Sequence, residues 1–233
     1  LDAAVEAERS RRAAVAMYRR LWEVQTEHWR TQLREYLADQ RAAPEGTSLH
    51  FELGFGVSQR RTGALDVASR AEPVEVDLDG LTVRLIGKID RVDRVRWDDA
   101  AALLAVDYKS GFLPSTRDIA EGIDLQLALY AAALERLFDA PVAGGAYHRI
   151  GDLKRRYLAP KEVWKRSQRM SGDFAELLRH ARQMAGLYVR RMSAGRFDAM
   201  PVHQCARACE YRHICHFSPA RARRKGGEEG GDE

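Results

Sequence analysis

The sequence predicts an α/β protein with a mixed central sheet flanked by helices. Three observations carry that expectation. Two β-type runs, Thr82 to Val95 and Ala101 to Tyr108, are separated only by the polar turn Arg96-Trp97-Asp98-Asp99-Ala100, so they pair as antiparallel neighbours. A helical stretch follows from Asp124 to Phe138, with Leu125, Leu129, Ala132 and Leu137 for the core. Pro141 to Ile150 then reads as the last core strand, and a strand-helix-strand succession of this kind makes it parallel to the strand before the helix. About four to five strands are expected in all.

The remaining elements follow in chain order. From Asp2 to Gln40 apolar Val5, Val15, Tyr18, Leu21, Trp22, Leu33, Tyr36 and Leu37 recur at helical spacing among Arg, Glu and Gln, and Pro44-Glu45-Gly46 ends the pattern. Residues 1–46 therefore form an N-terminal helical segment, expected to pack on the sheet or on a neighbouring domain. The chain opens on Leu1 with a helix already under way, so it is expected to be part of a longer polypeptide. Ser48 to Gly56 alternates as a first strand. Arg60 to Arg70 reads as a loop, and Val74 to Leu78, Asp79-Gly80 and Leu81 onward as a hairpin whose second strand delivers Asp90. Phe112 to Thr116 is a loop, with Ser115 or Thr116 capping a short turn through Asp118. Ser171 to Met192 is helical, and Gly195 to Pro201 closes it. The main domain spans 47–200, a cysteine-containing segment 201–217, and a tail of disordered composition 218–233.

With 233 residues, 45% hydrophobic and 31% charged, the chain has the composition of a soluble globular protein with a full core. No apolar run approaches the roughly 18 residues that span a bilayer, so a cytoplasmic protein without a membrane partner is expected. The net charge of +4 favours nucleic acid only weakly. Basic residues nevertheless gather at Lys154-Arg155-Arg156, Lys161, Lys165-Arg166 and Arg169, then Arg179, Arg182 and Arg190-Arg191. A DNA-contacting surface and a solvated helix face account for them equally well.

Chemistry concentrates between Gly87 and Tyr130. Antiparallel pairing brings Asp90 and Asp107 together, and Lys109, two residues past Asp107, points to the same face. Two carboxylates and a backbone carbonyl, that of Tyr108, suit Mg²⁺ or Mn²⁺, hard ions that keep several waters and leave room for a substrate phosphate. A lysine beside them orients an attacking water or neutralises developing charge, which points to metal-assisted phosphodiester hydrolysis. Gln126 and Tyr130 are four apart and share a helix face. A single Asp-x-Lys in a strand is usually a solvated face; the ordered set argues for a site. All three cysteines, Cys205, Cys209 and Cys215, fall within eleven residues. Thiolates so close suit zinc or an iron–sulfur cluster better than a disulfide.

Ile89-Asp90, Asp107-Tyr108-Lys109-Ser110-Gly111 and Gln126-Leu127-Ala128-Leu129-Tyr130 resemble the signature of the RecB-type branch of the PD-(D/E)XK nucleases. Cys205 to Cys215 resembles the iron–sulfur motif of its AddB-like members. The resemblance implies a restriction-endonuclease-like fold and a Mg²⁺- or Mn²⁺-dependent DNA exonuclease within a helicase–nuclease that processes double-strand breaks. No Gly-rich Lys-Ser/Thr loop occurs here, so the partner implied is a helicase region or subunit elsewhere. The residues carried over are Asp90, Asp107 and the Tyr108 carbonyl as metal ligands, Glu52 as a direct or water-mediated ligand, Lys109 as the water-orienting group, and Gln126 and Tyr130 in the cleft. It also implies a [4Fe–4S] cluster on Cys205, Cys209 and Cys215, whose fourth ligand is not in this chain; His203, His213 or His216 is the alternative. The spacing x3 between the first two cysteines departs from the family's usual x2, and the family's upstream metal-binding His is not mapped onto His28. Two other readings remain: a catalytically silent nuclease-like module, and a stand-alone exonuclease of the CRISPR-adaptation type.

Overall fold

The computed structural model describes residues 2–12, 19–42, 46–57, 64–160, 163, 168–169 and 174–197. Helices α1 (Asp2–Arg12) and α2 (Arg19–Ala42) come first. Asp2 forms ion pairs with Arg30 at 3.3 Å and Arg34 at 3.0 Å. In one unbroken helix those groups would stand some 40–50 Å apart. The single helix expected from Asp2 to Gln40 is therefore a pair, with α1 lying back along α2.

Strand β1 (Thr47–Phe55) is followed by the short hairpin β2 (Val74–Asp77) and β3 (Thr82–Leu85), then by β4 (Gly87–Trp97) and β5 (Ala100–Lys109). After β5 come α3 (Thr116–Ala120), α4 (Gln126–Phe138), β6 (Val142–Arg149), a 3₁₀ turn (Ile150–Asp152), β7 (Lys154–Leu158), β8 (Gln168–Arg169) and α5 (Phe174–Ser193). The main sheet has the order β1-β4-β5-β6-β7-β8, and β2-β3 form a separate pair. Its β5–β6 and β7–β8 pairings are parallel and the others antiparallel, the mixed sheet of a restriction-endonuclease-like fold.

Three expectations need correction. The run from Thr82 to Val95 is two strands in two sheets, because the chain leaves the hairpin at the exposed Ile86 and enters the main sheet at Gly87. A side chain at Gly87 would meet the Phe55 ring at 2.9 Å, so this crossing point needs glycine. The β4–β5 turn is also tighter than expected: Asp98 and Asp99 both have positive φ, 47° and 60°, the type I′ signature matched to strand twist. Finally, β6 is not the last strand. Lys154–Leu158, read as a basic patch, pairs antiparallel with β6 from Gly145–Leu158 to Arg149–Lys154.

Helix α4 lies against β5 and β6 and under the β2–β3 hairpin, and α5 packs on α3 and α4. It is covered on more than one side, so its buried set is Leu127, Ala128, Ala131, Ala132, Ala133, Leu134 and Leu137, with Leu125 and Leu129 at the margin. The expected stripe is thus only part of what is buried. The capping expected for α3 is present: Asp118 N–H and the Ser115 hydroxyl, and the Asp118 carboxylate and Ser115 N–H, close a capping box.

On the other face, α2 is held by a buried polar cluster. Asp93 receives the Arg91 guanidinium, through Nε at 2.6 Å and through Nη2. Arg91 also donates to the Tyr36 and Tyr108 hydroxyls, each at 3.2 Å, and to Gln40 at 3.0 Å. Tyr36 hydrogen-bonds His148 Nδ1 at 2.8 Å. Tyr108, sitting between Asp107 and Lys109, thus fastens the back of β5 while its neighbours face the front.

Candidate active site

Asp90 and Asp107 reach the same place because β4 and β5 run in register, with Arg91 opposite Val106 and Val92 opposite Ala105. One step further that register sets Asp90 against Asp107. The ladder stops there, and Asp90 Oδ2 accepts the Tyr108 N–H at 3.0 Å.

Asp107 is buried, and Lys109 Nζ stands 2.7 Å from its Oδ2. Gln126, on the first turn of α4, donates from Nε2 to Asp107 Oδ1 at 2.6 Å and to the Tyr130 hydroxyl at 2.9 Å. Its Oε1 accepts from Lys109 Nζ at 2.7 Å. This amide orientation alone serves both neighbours, since an ammonium only donates and a carboxylate only accepts. Tyr130 completes the chain by donating to the Lys88 carbonyl at 2.9 Å. Burial raises the Asp107 pKa, Lys109 works against the shift, and the charges of Asp90 and Asp124 add to it. Five of the sequence-selected residues, Asp90, Asp107, Lys109, Gln126 and Tyr130, therefore share one face of the sheet at the mouth of α4.

A sequence profile of the PD-(D/E)XK nuclease superfamily matches residues 1–216. The chain belongs to that superfamily. It is also similar to parts of proteins named as the B-type subunits of an ATP-dependent helicase/deoxyribonuclease. It is 34% identical to the one from Acetivibrio thermocellus over 110 residues, 44% of this chain and 9% of that protein. It is 38% identical to that of Ruminiclostridium cellulolyticum over 88 residues, 34% of this chain and 8% of that protein. For Clostridium tetani the figures are 41% over 64 residues, 27% and 6%. The matched stretches span less than a tenth of these relatives.

Superfamily members use divalent metals, and the residues present here fit such an ion. Asp107 Oδ2 is buried and receives no hydrogen bond of good geometry despite the nearby ammonium. A carboxylate oxygen has two lone pairs, so the ammonium on one side leaves the other for a cation. Among the described residues no group of three or more His, Cys, Asp or Glu gathers for a metal. The two carboxylates that the β4–β5 register brings together, Asp90 and Asp107, are few enough to suit a hard ion that keeps several waters rather than an all-protein cage.

Glu52 lies between the paired residues Phe51–Arg91 and Leu53–Ile89, level with Asp90. Its φ of +58° breaks the strand's alternation, and its carboxylate forms an ion pair with Lys88. His50, two residues before Glu52, bonds Asp66 at 3.0 Å and stacks on Phe138. The expected DNA-binding trio divides. Arg155 is buried and paired with Asp39, which removes it from the surface as a correction. Arg156 donates to the Leu113 and Pro114 carbonyls, at 2.9 and 2.8 Å, and braces the loop after β5. Only Lys154 is exposed, 3.2 Å from Asp152. Cys205, Cys209 and Cys215, with Lys161, Lys165 and Arg166, lie outside the described residues.

Three residues of the site were not selected from the sequence: Lys88, Asp124 and Tyr147. The Tyr147 hydroxyl donates to Asp124 Oδ1 at 2.5 Å, and the Lys109 ammonium lies 5.0 Å from the Tyr147 ring centroid. Burial raises the Asp124 pKa, opposed by the Tyr147 bond and Lys109. Asp124 stands one residue before the cap position, which Leu125 fills, and its carboxylate accepts the Gln126 N–H. Tyr147 carried no signal in the sequence, because only the β5–β6 register sets it opposite Asp107.

Proposed function

We propose that this chain is a Mg²⁺- or Mn²⁺-dependent nuclease domain that hydrolyses DNA phosphodiester bonds. The observation that carries the reading is the convergence of Asp90, Asp107 and Lys109 at the mouth of α4, with the Lys109 ammonium 2.7 Å from the buried Asp107 Oδ2. Asp90, Asp107 and the Tyr108 carbonyl would hold the metal, and Glu52, whose carboxylate pairs with Lys88, would reach it directly or through a water. When bound, the ion supplies Lewis-acid stabilisation and lowers the pKa of a coordinated water. Lys109 orients the attacking water and offsets charge growing on the phosphate. Gln126 keeps Asp107 and Lys109 in register, and Tyr130 ties that pair to β4.

The similarity to helicase/deoxyribonuclease subunits supports action on DNA beside a helicase region or subunit, and the motif resemblance adds an exonuclease working at DNA ends in double-strand break repair. The resemblance of Cys205 to Cys215 to the AddB-like cysteine motif supports a [4Fe–4S] cluster, completed by a ligand outside this chain or by His203, His213 or His216. Iron and sulfide analysis of anaerobically purified protein tests that part. A catalytically silent nuclease-like module is the second reading, favoured by the Lys88–Glu52 ion pair that occupies the third acid. Cleavage assays with Mg²⁺ or Mn²⁺ separate the two. The wild type is expected to cleave DNA, and Asp107→Ala and Lys109→Ala each to lose on the order of a hundredfold or more. Cleavage that survives both changes excludes this assignment.

A further inference from the structure

A lysine ammonium is a compact charge on a flexible four-carbon stem, so it orients a water only where its surroundings hold it still. Around Lys109 one side is occupied by Gln126 Oε1, which accepts its hydrogen bond at 2.7 Å, and another by Asp107 Oδ2, an ion pair at 2.7 Å. A third side faces the ring of Tyr147 at 5.0 Å from its centroid, a cation–π approach. That ring is fully buried and stands opposite Asp107 in the parallel β5–β6 ladder, on the same face.

Tyr147 is itself tethered, its hydroxyl donating to Asp124 Oδ1 at 2.5 Å. Asp124 is fixed from two directions. Its backbone N–H donates to the Asp118 carbonyl at 3.1 Å, and its carboxylate accepts the Gln126 N–H at the start of α4. Asp118 belongs to the capping box of α3, so this anchor is rigid as well. One carboxylate therefore governs two of the three surfaces that meet the ammonium: the aromatic face through Tyr147, and the amide face through the first turn of α4. An asparagine would match the shape but not the charge. Asp124, itself half-buried, adds a second negative charge beside the half-buried Lys109 ammonium.

We infer that Asp124 and Tyr147 form a positioning pair that locks the Lys109 ammonium against Asp107. The inference rests on the nuclease reading for its purpose, and on the geometry alone for the locking. Neither residue touches the reacting phosphate; both act through Lys109 and Gln126.

The test uses Asp124→Asn, Tyr147→Leu and Tyr147→Phe, the first and last being nearly isosteric. Single-turnover DNA cleavage is measured alongside thermal melting. Asp124→Asn and Tyr147→Leu are expected to lower kcat about tenfold to a hundredfold with KM changed less than about twofold, and Tyr147→Phe, which keeps the ring, to recover part of the loss. In a Lys109→Ala background the Asp124→Asn penalty is expected to disappear, since its target is gone. A second readout needs no cleavage: NMR of the lysine ¹³Cε methylenes, with the Lys109 signal assigned through Lys109→Arg. Locked, its two ε-protons are inequivalent; in Asp124→Asn and Tyr147→Leu they merge. An inactive wild type with this contrast would remove the nuclease reading and keep the positioning pair. Unchanged kcat and unchanged methylene signals in folded variants would overturn the pair, as would a full Asp124→Asn penalty without Lys109.

Discussion

Gln126 joins the two halves of the candidate site, one amide spanning the Asp107 carboxylate and the Lys109 ammonium. Gln126→Glu keeps the size and reverses half of that logic. A carboxylate placed 2.6 Å from Asp107 Oδ1 must carry a proton or repel it. Cleavage rates for this variant are expected to fall by about tenfold to a hundredfold, in the range seen when residues behind a metal ligand are changed; a rate equal to wild type would show that the amide is a bystander. Much of this site was legible from type and spacing alone. Asp-x-Lys in a strand puts both side chains on one face, and Gln-x-x-x-Tyr does the same on a helix. What was not legible is Tyr147, whose role comes from a β5–β6 register that no local pattern encodes, and the occupation of Glu52 by Lys88.

Strand β5 is the element that the site depends on, because it carries Asp107 and Lys109 forward and Tyr108 backward. Behind it the Arg91–Asp93 pair, with side chains 6% and 2% exposed, anchors α2 through Tyr36 and Gln40. Asp93→Ala leaves a buried guanidinium without its counter-charge, and about 3–5 kcal/mol of stability is expected to go with it. Replacing both partners, Arg91→Met with Asp93→Leu, is expected to cost much less, because no buried charge is stranded. Urea denaturation compares the two. Equal losses would mean that shape rather than charge holds α2 in place. The sequence marked Gly87-Lys88-Ile89-Asp90-Arg91-Val92-Asp93 as one strand with a front-facing acid but gave no sign that Arg91 and Asp93 form a pair behind the sheet. It also concealed β7, since Lys154-Arg155-Arg156 reads as surface charge while Arg155 and Tyr157 face inward. The helices were easier, their boundaries shifting by only a few residues, except where α1 and α2 had been one.

Across the whole molecule, the back of the sheet carries a pH dependence of its own. His148 is buried beside Arg91 and Arg155, and its pKa lies well below the usual 6.5, from burial first and then from those two cations. The folded protein therefore refuses a proton that the unfolded chain accepts. Its contribution to stability is complete above about pH 6.5 and is lost as the pH falls beneath that value. Asp107 and Asp124 have raised pKa values and act in the opposite sense, starting from the carboxylate range near 3.8. Comparing wild type with His148→Gln cancels their effect. Melting temperatures are expected to fall more steeply for wild type than for the variant between about pH 6.5 and 5; parallel curves would place a protonated imidazole in the fold.

The two faces meet in β4 and β5, so a rigid back supports the acids at the front. Manganese titration of the purified protein, followed by calorimetry or electron paramagnetic resonance, reads that arrangement without relying on catalysis. One site is expected in the wild type, weakened about tenfold or more by Asp90→Asn and by Asp107→Asn separately. Manganese binding of unaltered strength in both variants would mean that these carboxylates do not share an ion.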